Sequence, residues 1–145
     1  MHKIQTYIIL RILIILPFFT YGQTTLEENS SEFCGQYFTA PNECKTMGNM
    51  IQCKDYVFTW SYEPIIDLPR HQKELIAQIK NPKEIKVSVL KTDLIGYLSK
   101  VDSYDSLLIV GSVNGKGVII NLYLDKTIKA TNDLPECVRQ FITIK

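Results

Sequence analysis

Cys34, Cys44, Cys53 and Cys137 carry the clearest chemical signal in the chain. Thiols ligate metals, exchange electrons or form disulfides, and spacing separates the three uses. Nine residues lie between the first two cysteines and eight between the next two, which matches no zinc finger or ribbon. No Cys-x-x-Cys pair supports a thioredoxin-type redox site. An even count in an exported chain points instead to disulfides. Gly48-Asn49 sits midway between Cys44 and Cys53 and is a favoured two-residue hairpin loop, the glycine supplying the positive φ of a type II′ turn. Centring a hairpin there pairs Met47 with Met50, Thr46 with Ile51, Lys45 with Gln52 and Cys44 with Cys53. The alternation of pair types puts the two cysteines at a non-hydrogen-bonded position, where Cα atoms lie ~4.5 Å apart and a disulfide fits. Elimination leaves Cys34 to bond Cys137, tying the N-terminal segment to the last helix. In the loop-entropy picture the hairpin bond contributes about 2–3 kcal/mol and the long-range bond about 4–5 kcal/mol.

Acid–base chemistry has less to work with. His71 is the histidine that remains once an N-terminal signal containing His2 is removed. It falls in the first turn of an expected helix beside Arg70 and Lys73. Nothing in the sequence orients it for a Ser-His-Asp triad, so it reads as a solvated helix residue. Asp102, Ser103, Asp105 and Ser106 make a short acidic turn without the ligand run and glycine of a calcium loop. Paired carboxylates for glycoside hydrolysis depend on tertiary proximity, and the chain is short for cleft-forming insertions. Gly115 and Gly117 stand in Asn114-Gly115-Lys116-Gly117, which completes neither phosphate-binding glycine motif and reads as a hairpin turn. No catalytic residue, cofactor or metal site is expected.

The elements that must position these residues follow from periodicity. Tyr56, Phe58, Trp60 and Tyr62 share one face of a strand over 55–63, with Val57, Thr59 and Ser61 on the other. An exposed aromatic stripe would be a binding platform. A core role is expected, because large aromatics dominate buried area. Asp67-Leu68-Pro69 predicts a helix start, with Asp67 as N-cap and Pro69 in the first turn, running to about Lys80 before Asn81-Pro82. Leu68, Leu75, Ile76 and Ile79 form its apolar face. Four strands follow, and the continuous apolar runs 107–113 and 118–124 suit central strands buried on both faces. Asp133-Leu134-Pro135 repeats the helix-start device, with Glu136 in an acidic capping-box position, and predicts a helix to about Ile142. The order ββαββββα predicts an α+β single domain: a twisted antiparallel β-sheet with two helices packed on it. This order resembles the α/β/α sandwiches of PsbP/Mog1-like layout. The resemblance covers element order and no motif, and implies no function.

Residues 1–22 read as a secretory signal peptide: Lys3 in the charged start, an apolar stretch, then Thr20 and Gly22 at the small-residue positions. A spanning anchor needs ~20 apolar residues; Arg11 and Pro17 interrupt this run. Cleavage leaves Gln23 at the N-terminus and no stable membrane anchor. Residues 23–32 are polar and aperiodic and read as a flexible leader, which includes the glycosylation sequon Asn29-Ser30-Ser31. Residues 33–145 make the disulfide-stapled domain.

Composition narrows the function. The 145 residues are 46% hydrophobic and 21% charged with a net charge of +1, which suits a globular domain and gives no reason to expect nucleic-acid binding. Once Lys3 and Arg11 leave with the signal, 14 basic residues face 15 acidic ones. Residues 23–68 carry a net −5 and residues 69–145 a net +4. The two halves are expected to attract each other within one domain, since the positive charges are spread through the elements rather than clustered into a basic partner-binding face. The expectation is a small exported, secreted or periplasmic, non-catalytic binding protein: an inhibitor, an immunity-type protein or an accessory subunit with a protein partner. The alternative is a small secreted hydrolase using carboxylates or His71. Tyr97, Tyr104 and Tyr123 are aromatic side chains near loops of the kind interfaces use, but each is expected to be partly buried in the sheet and none is assigned to a site.

Overall fold

The computed structural model describes residues 29–145; the signal-peptide reading of 1–22 and the first part of the leader, 23–28, lie outside them. The described chain is a single sheet-rich domain with a large antiparallel sheet and two short helices. The strands are β1 Ser30–Phe33, β2 Gln36–Thr39, β3 Lys45–Thr46, β4 Met50–Gln52, β5 Tyr56–Glu63, β6 Lys83–Val89, β7 Thr92–Val101, β8 Tyr104–Val113, β9 Lys116–Leu124 and β10 Ile142–Ile144. The helices are α1, Leu68–Ala77, and α2, Glu136–Arg139. Eight strands form one sheet in the order β10-β6-β7-β8-β9-β5-β4-β3, and β1 and β2 form a separate hairpin.

The continuous apolar runs became β8 and β9, at the centre of the large sheet. Their position explains their composition, because both faces are covered. On one face Phe58 and Trp60 of β5 pack with Ile109, Ile120 and Leu122 beneath the β1–β2 hairpin and the 128–142 segment. Phe33 stands edge-on to Trp60 at 5.7 Å and lies 5.0 Å from Phe141, while Phe38 lies 4.9 Å from Phe141. On the other face Leu68, Leu75 and Ile76 of α1, with Ile79 just past its end, cover Tyr97, Leu108, Val110 and Ile119. The aromatic stripe is therefore core from Tyr56 to Trp60, and only Tyr62, at the strand end, reaches the surface.

Several boundaries differ from expectation, each for a local reason. The leader was expected to reach Glu32, but Ser30–Glu32 pair with Tyr37–Thr39. Cys34 and Gly35 both adopt positive φ, 49° and 88°, as a two-residue type I′ loop requires. Phe33 and Phe38 then anchor the hairpin by burial. Asp67 has helical backbone and makes no side-chain cap; its carboxylate pairs with Arg70 at 3.3 Å instead. The second Asp-Leu-Pro does not open a long helix. Leu134 is extended, α2 is a single turn, and Ile142–Ile144 leave it as a strand beside β6. Asp133 accepts the backbone N–H groups of Lys129 and Ala130, so it closes a turn rather than capping α2. Thr131 finishes the sheet edge: its hydroxyl accepts from Ile144 N–H at 2.8 Å and donates to Ile144 C=O at 3.2 Å. A side chain thus occupies the hydrogen-bonding groups that an edge strand otherwise offers to another chain.

Candidate functional site

The 44–53 hairpin has the expected register, Lys45 opposite Gln52 and Thr46 opposite Ile51, and Gly48 has φ +56°. Met47 and Met50 exchange both backbone hydrogen bonds. Cys44 and Cys53 are disulfide-bonded, with Cα atoms 4.4 Å apart. A disulfide is compatible with an oxidising, extracellular compartment.

The second expected bond does not form. Cys34 and Cys137 are free and buried. The backbone N–H of Cys34 donates to the Tyr62 hydroxyl, whereas the Cys137 sulfur lies 2.9 Å from the Tyr56 hydroxyl. Tyr56 and Tyr62 stand at opposite ends of β5, roughly 20 Å apart along a strand, so the two cysteines serve different ends of the core. Elimination failed because it counts cysteines and ignores where each segment docks. Burial raises both thiols above the ordinary cysteine range, which holds them protonated and unreactive. The Tyr56 hydroxyl also lies 3.8 Å from the Cys44 sulfur, so one phenol joins the disulfide to the Cys137 thiol. Burial first, and the neighbouring Cys137 next, push that phenol's pKa up.

A polar cluster gathers at the other end of β5. Glu32 accepts from Gly35 N–H, lies 3.4 Å from the Lys116 ammonium and accepts from the Tyr62 hydroxyl at 3.5 Å. The Lys116 ammonium stands 5.0 Å from the Tyr62 ring centre, and Asn114 donates to the Cys34 carbonyl at 3.3 Å. The Gly35 N–H, followed by Lys116, lowers the Glu32 pKa. These groups satisfy one another and fasten the β1–β2 hairpin to the β8–β9 turn. The sequence did carry a clue: Ser31, Phe33, Phe38 and Ala40 alternate about Cys34-Gly35, and all four are buried.

The glycines of 114–117 have structural causes. Asn114 and Gly115 take φ of 50° and 75° in the β8–β9 turn. A Cβ on Gly117 would strike the Glu63 carbonyl, because β9 and β5 approach there backbone to backbone. His71 proves to have a partner: Nδ1 lies 3.6 Å from a Glu63 carboxylate oxygen. Asp105 is buried rather than part of an open acidic turn; one oxygen accepts Ile128 N–H at 2.8 Å and the other faces the Lys100 ammonium. Among the described residues no group of three or more His, Cys, Asp or Glu side chains is placed to hold a metal ion.

Of the three tyrosines expected near loop ends, Tyr97 is buried beneath α1, its hydroxyl accepting from Gln72 at 3.0 Å. Tyr104 and Tyr123 stay 43% and 36% exposed. Strand register explains the difference. Ser106 pairs with Tyr123 and Val101 with Tyr104, placing both tyrosines on the α1 face but past the stretch that α1 covers. With Val57 and Val101 they line a cleft of about 310 Å³ beside Cys53. Comparison with known proteins adds no relative: no family model, curated protein or solved structure matches the chain.

Proposed function

We propose that this is a small exported binding protein without catalytic activity, released by signal cleavage before Gln23 and acting on a protein partner as an inhibitor, immunity-type protein or accessory subunit. The observation that carries the reading is the Tyr104–Tyr123 cleft. It exposes two tyrosines and Val101 on a sheet face that α1 leaves open, so folding alone does not use them. Tyrosine combines an apolar body with a polar tip and is enriched at binding surfaces. We favour a three-layer layout, α1 on one face and the hairpin with α2 on the other, as the PsbP/Mog1-like element order suggests. That analogy carries no functional weight.

A second reading, a hydrolase built on His71, draws on the Glu63–His71 pair. A carboxylate beside an imidazole nitrogen is the orienting half of a triad. One experiment separates the two. The mature chain is used to capture partners from the source's envelope fraction, alongside a Tyr104→Ala/Tyr123→Ala variant and a His71→Ala variant. A partner held by wild type and His71→Ala, and bound at least roughly 30-fold more weakly by the tyrosine variant, supports the binding reading. A hydrolytic activity lost in His71→Ala, with circular dichroism unchanged, replaces it with the hydrolase.

A further inference from the structure

Three separate segments converge on a groove of about 540 Å³ at the β6–β7 side of the sheet, and four of its lining residues are Lys80, Lys83, Lys100 and Lys129. The sheet's own alternation builds half of it. Lys83 lies opposite Leu98, and Lys100, two residues beyond Leu98, lies opposite Asp105. All four side chains therefore share one face. Lys80 comes from the α1–β6 connection, and the far wall is Thr127–Lys129.

Buried Asp105 holds the walls together. One carboxylate oxygen takes the Ile128 N–H, which fixes the 127–129 wall, and the other faces Lys100. Asp105 is thus matched by Lys100, leaving Lys80, Lys83 and Lys129, which form no ion pair among the described residues. Of two nearby acids, Glu84 pairs with Tyr97 on the opposite face, whereas Asp133 accepts the backbone N–H groups of Lys129 and Ala130 and its charge offsets part of that of Lys129. Lys80 and Lys83 are thus cations of the groove that no acid among the described residues pairs. Along the chain these lysines fall at 80, 83, 100 and 129, a spacing that reads as dispersed charge.

We propose that this groove binds a small, multiply charged oxyanion, a ligand bearing phosphate or sulfate groups. Each ammonium offers three donors and a compact charge. Thr127 and Asn81 add neutral donors, and Leu98 and Ile128 supply an apolar floor. The walls tied by Asp105 reduce the ordering that binding costs. The proposal rests on the binding-protein reading and gives that protein a second, chemically distinct site.

The test is isothermal titration of the mature chain with tripolyphosphate and, separately, with a sulfated disaccharide in low-salt buffer. Saturable one-site binding of either is expected, and the tighter arm identifies phosphate or sulfate as the recognised group. Lys83→Gln/Lys129→Gln should bind roughly tenfold more weakly, each lost charge contact being partly exposed. Lys45→Gln/Lys54→Gln, which removes the same charge elsewhere, should bind as wild type does. Silence with both probes overturns the site, as does equal weakening by the two double variants. If that happens while a partner is still captured through Tyr104 and Tyr123, the binding reading survives alone. Release of inorganic phosphate or sulfate from a bound probe keeps the groove and overturns the non-catalytic reading.

Discussion

At the scale of single residues, Glu32 ties a hairpin turn to the sheet through the Gly35 N–H and Lys116. Its folded pKa is lowered, so the group binds protons less readily in the folded chain than in the unfolded one. Its stabilisation is complete above the unfolded value and is lost as pH falls through the folded one. Urea midpoints of wild type should therefore drop relative to Glu32→Gln as pH falls from neutrality to below about 4, the ordinary glutamate range; parallel curves would show that Glu32 contributes no pH-dependent stability. The thiols make a second residue-scale prediction. Non-reducing peptide maps should contain one linked pair, Cys44 with Cys53. Cys34 and Cys137 should resist alkylation until the chain is unfolded, since both are buried and held protonated. A Cys34–Cys137 peptide would mean that the two ends of β5 are not separated as described.

At the scale of elements, the β1–β2 hairpin depends on Phe33, which is fully buried against Phe58, Trp60 and Phe141. Phe33→Ala should cost about 3–5 kcal/mol by loss of apolar burial and opening of a cavity, read from chemical denaturation. Gly117→Ala should cost about 1–3 kcal/mol, because the added methyl meets the Glu63 carbonyl, a backbone atom that cannot rotate aside. Gly115→Ala probes a different cause, the positive φ of the turn, in open space. Such elements were unequally legible. The 44–53 hairpin could be read to the residue, because its turn chemistry and its cysteine spacing agree on one register. The α2 region could not. Asp133-Leu134-Pro135 carries the same helix-start letters as 67–69, yet pairing of Ile142–Ile144 with β6 draws the chain out into a strand.

At the scale of the whole molecule, the separation of acidic and basic halves has a specific outcome. Part of it is neutralised between segments, as in Glu32 with Lys116. Part is concentrated, as in the lysine groove. The sequence by itself determined the Cys44–Cys53 pair, the burial of Phe58 and Trp60, and the central place of β8 and β9. Each rests on information within one turn or one strand: the positive φ that Gly48 permits, side-chain alternation at period two, and apolar residues on both faces. Only the tertiary structure decided that Cys34 and Cys137 stand apart, that His71 meets Glu63, that Tyr97 is covered while Tyr104 and Tyr123 are not, and that Lys80, Lys83, Lys100 and Lys129 share one groove. Apart from the neighbours Glu63 and His71, and Lys80 and Lys83, those are distances between segments far apart along the chain. They are set by which strand pairs with which and by how far α1 reaches across the sheet, and no local pattern encodes either.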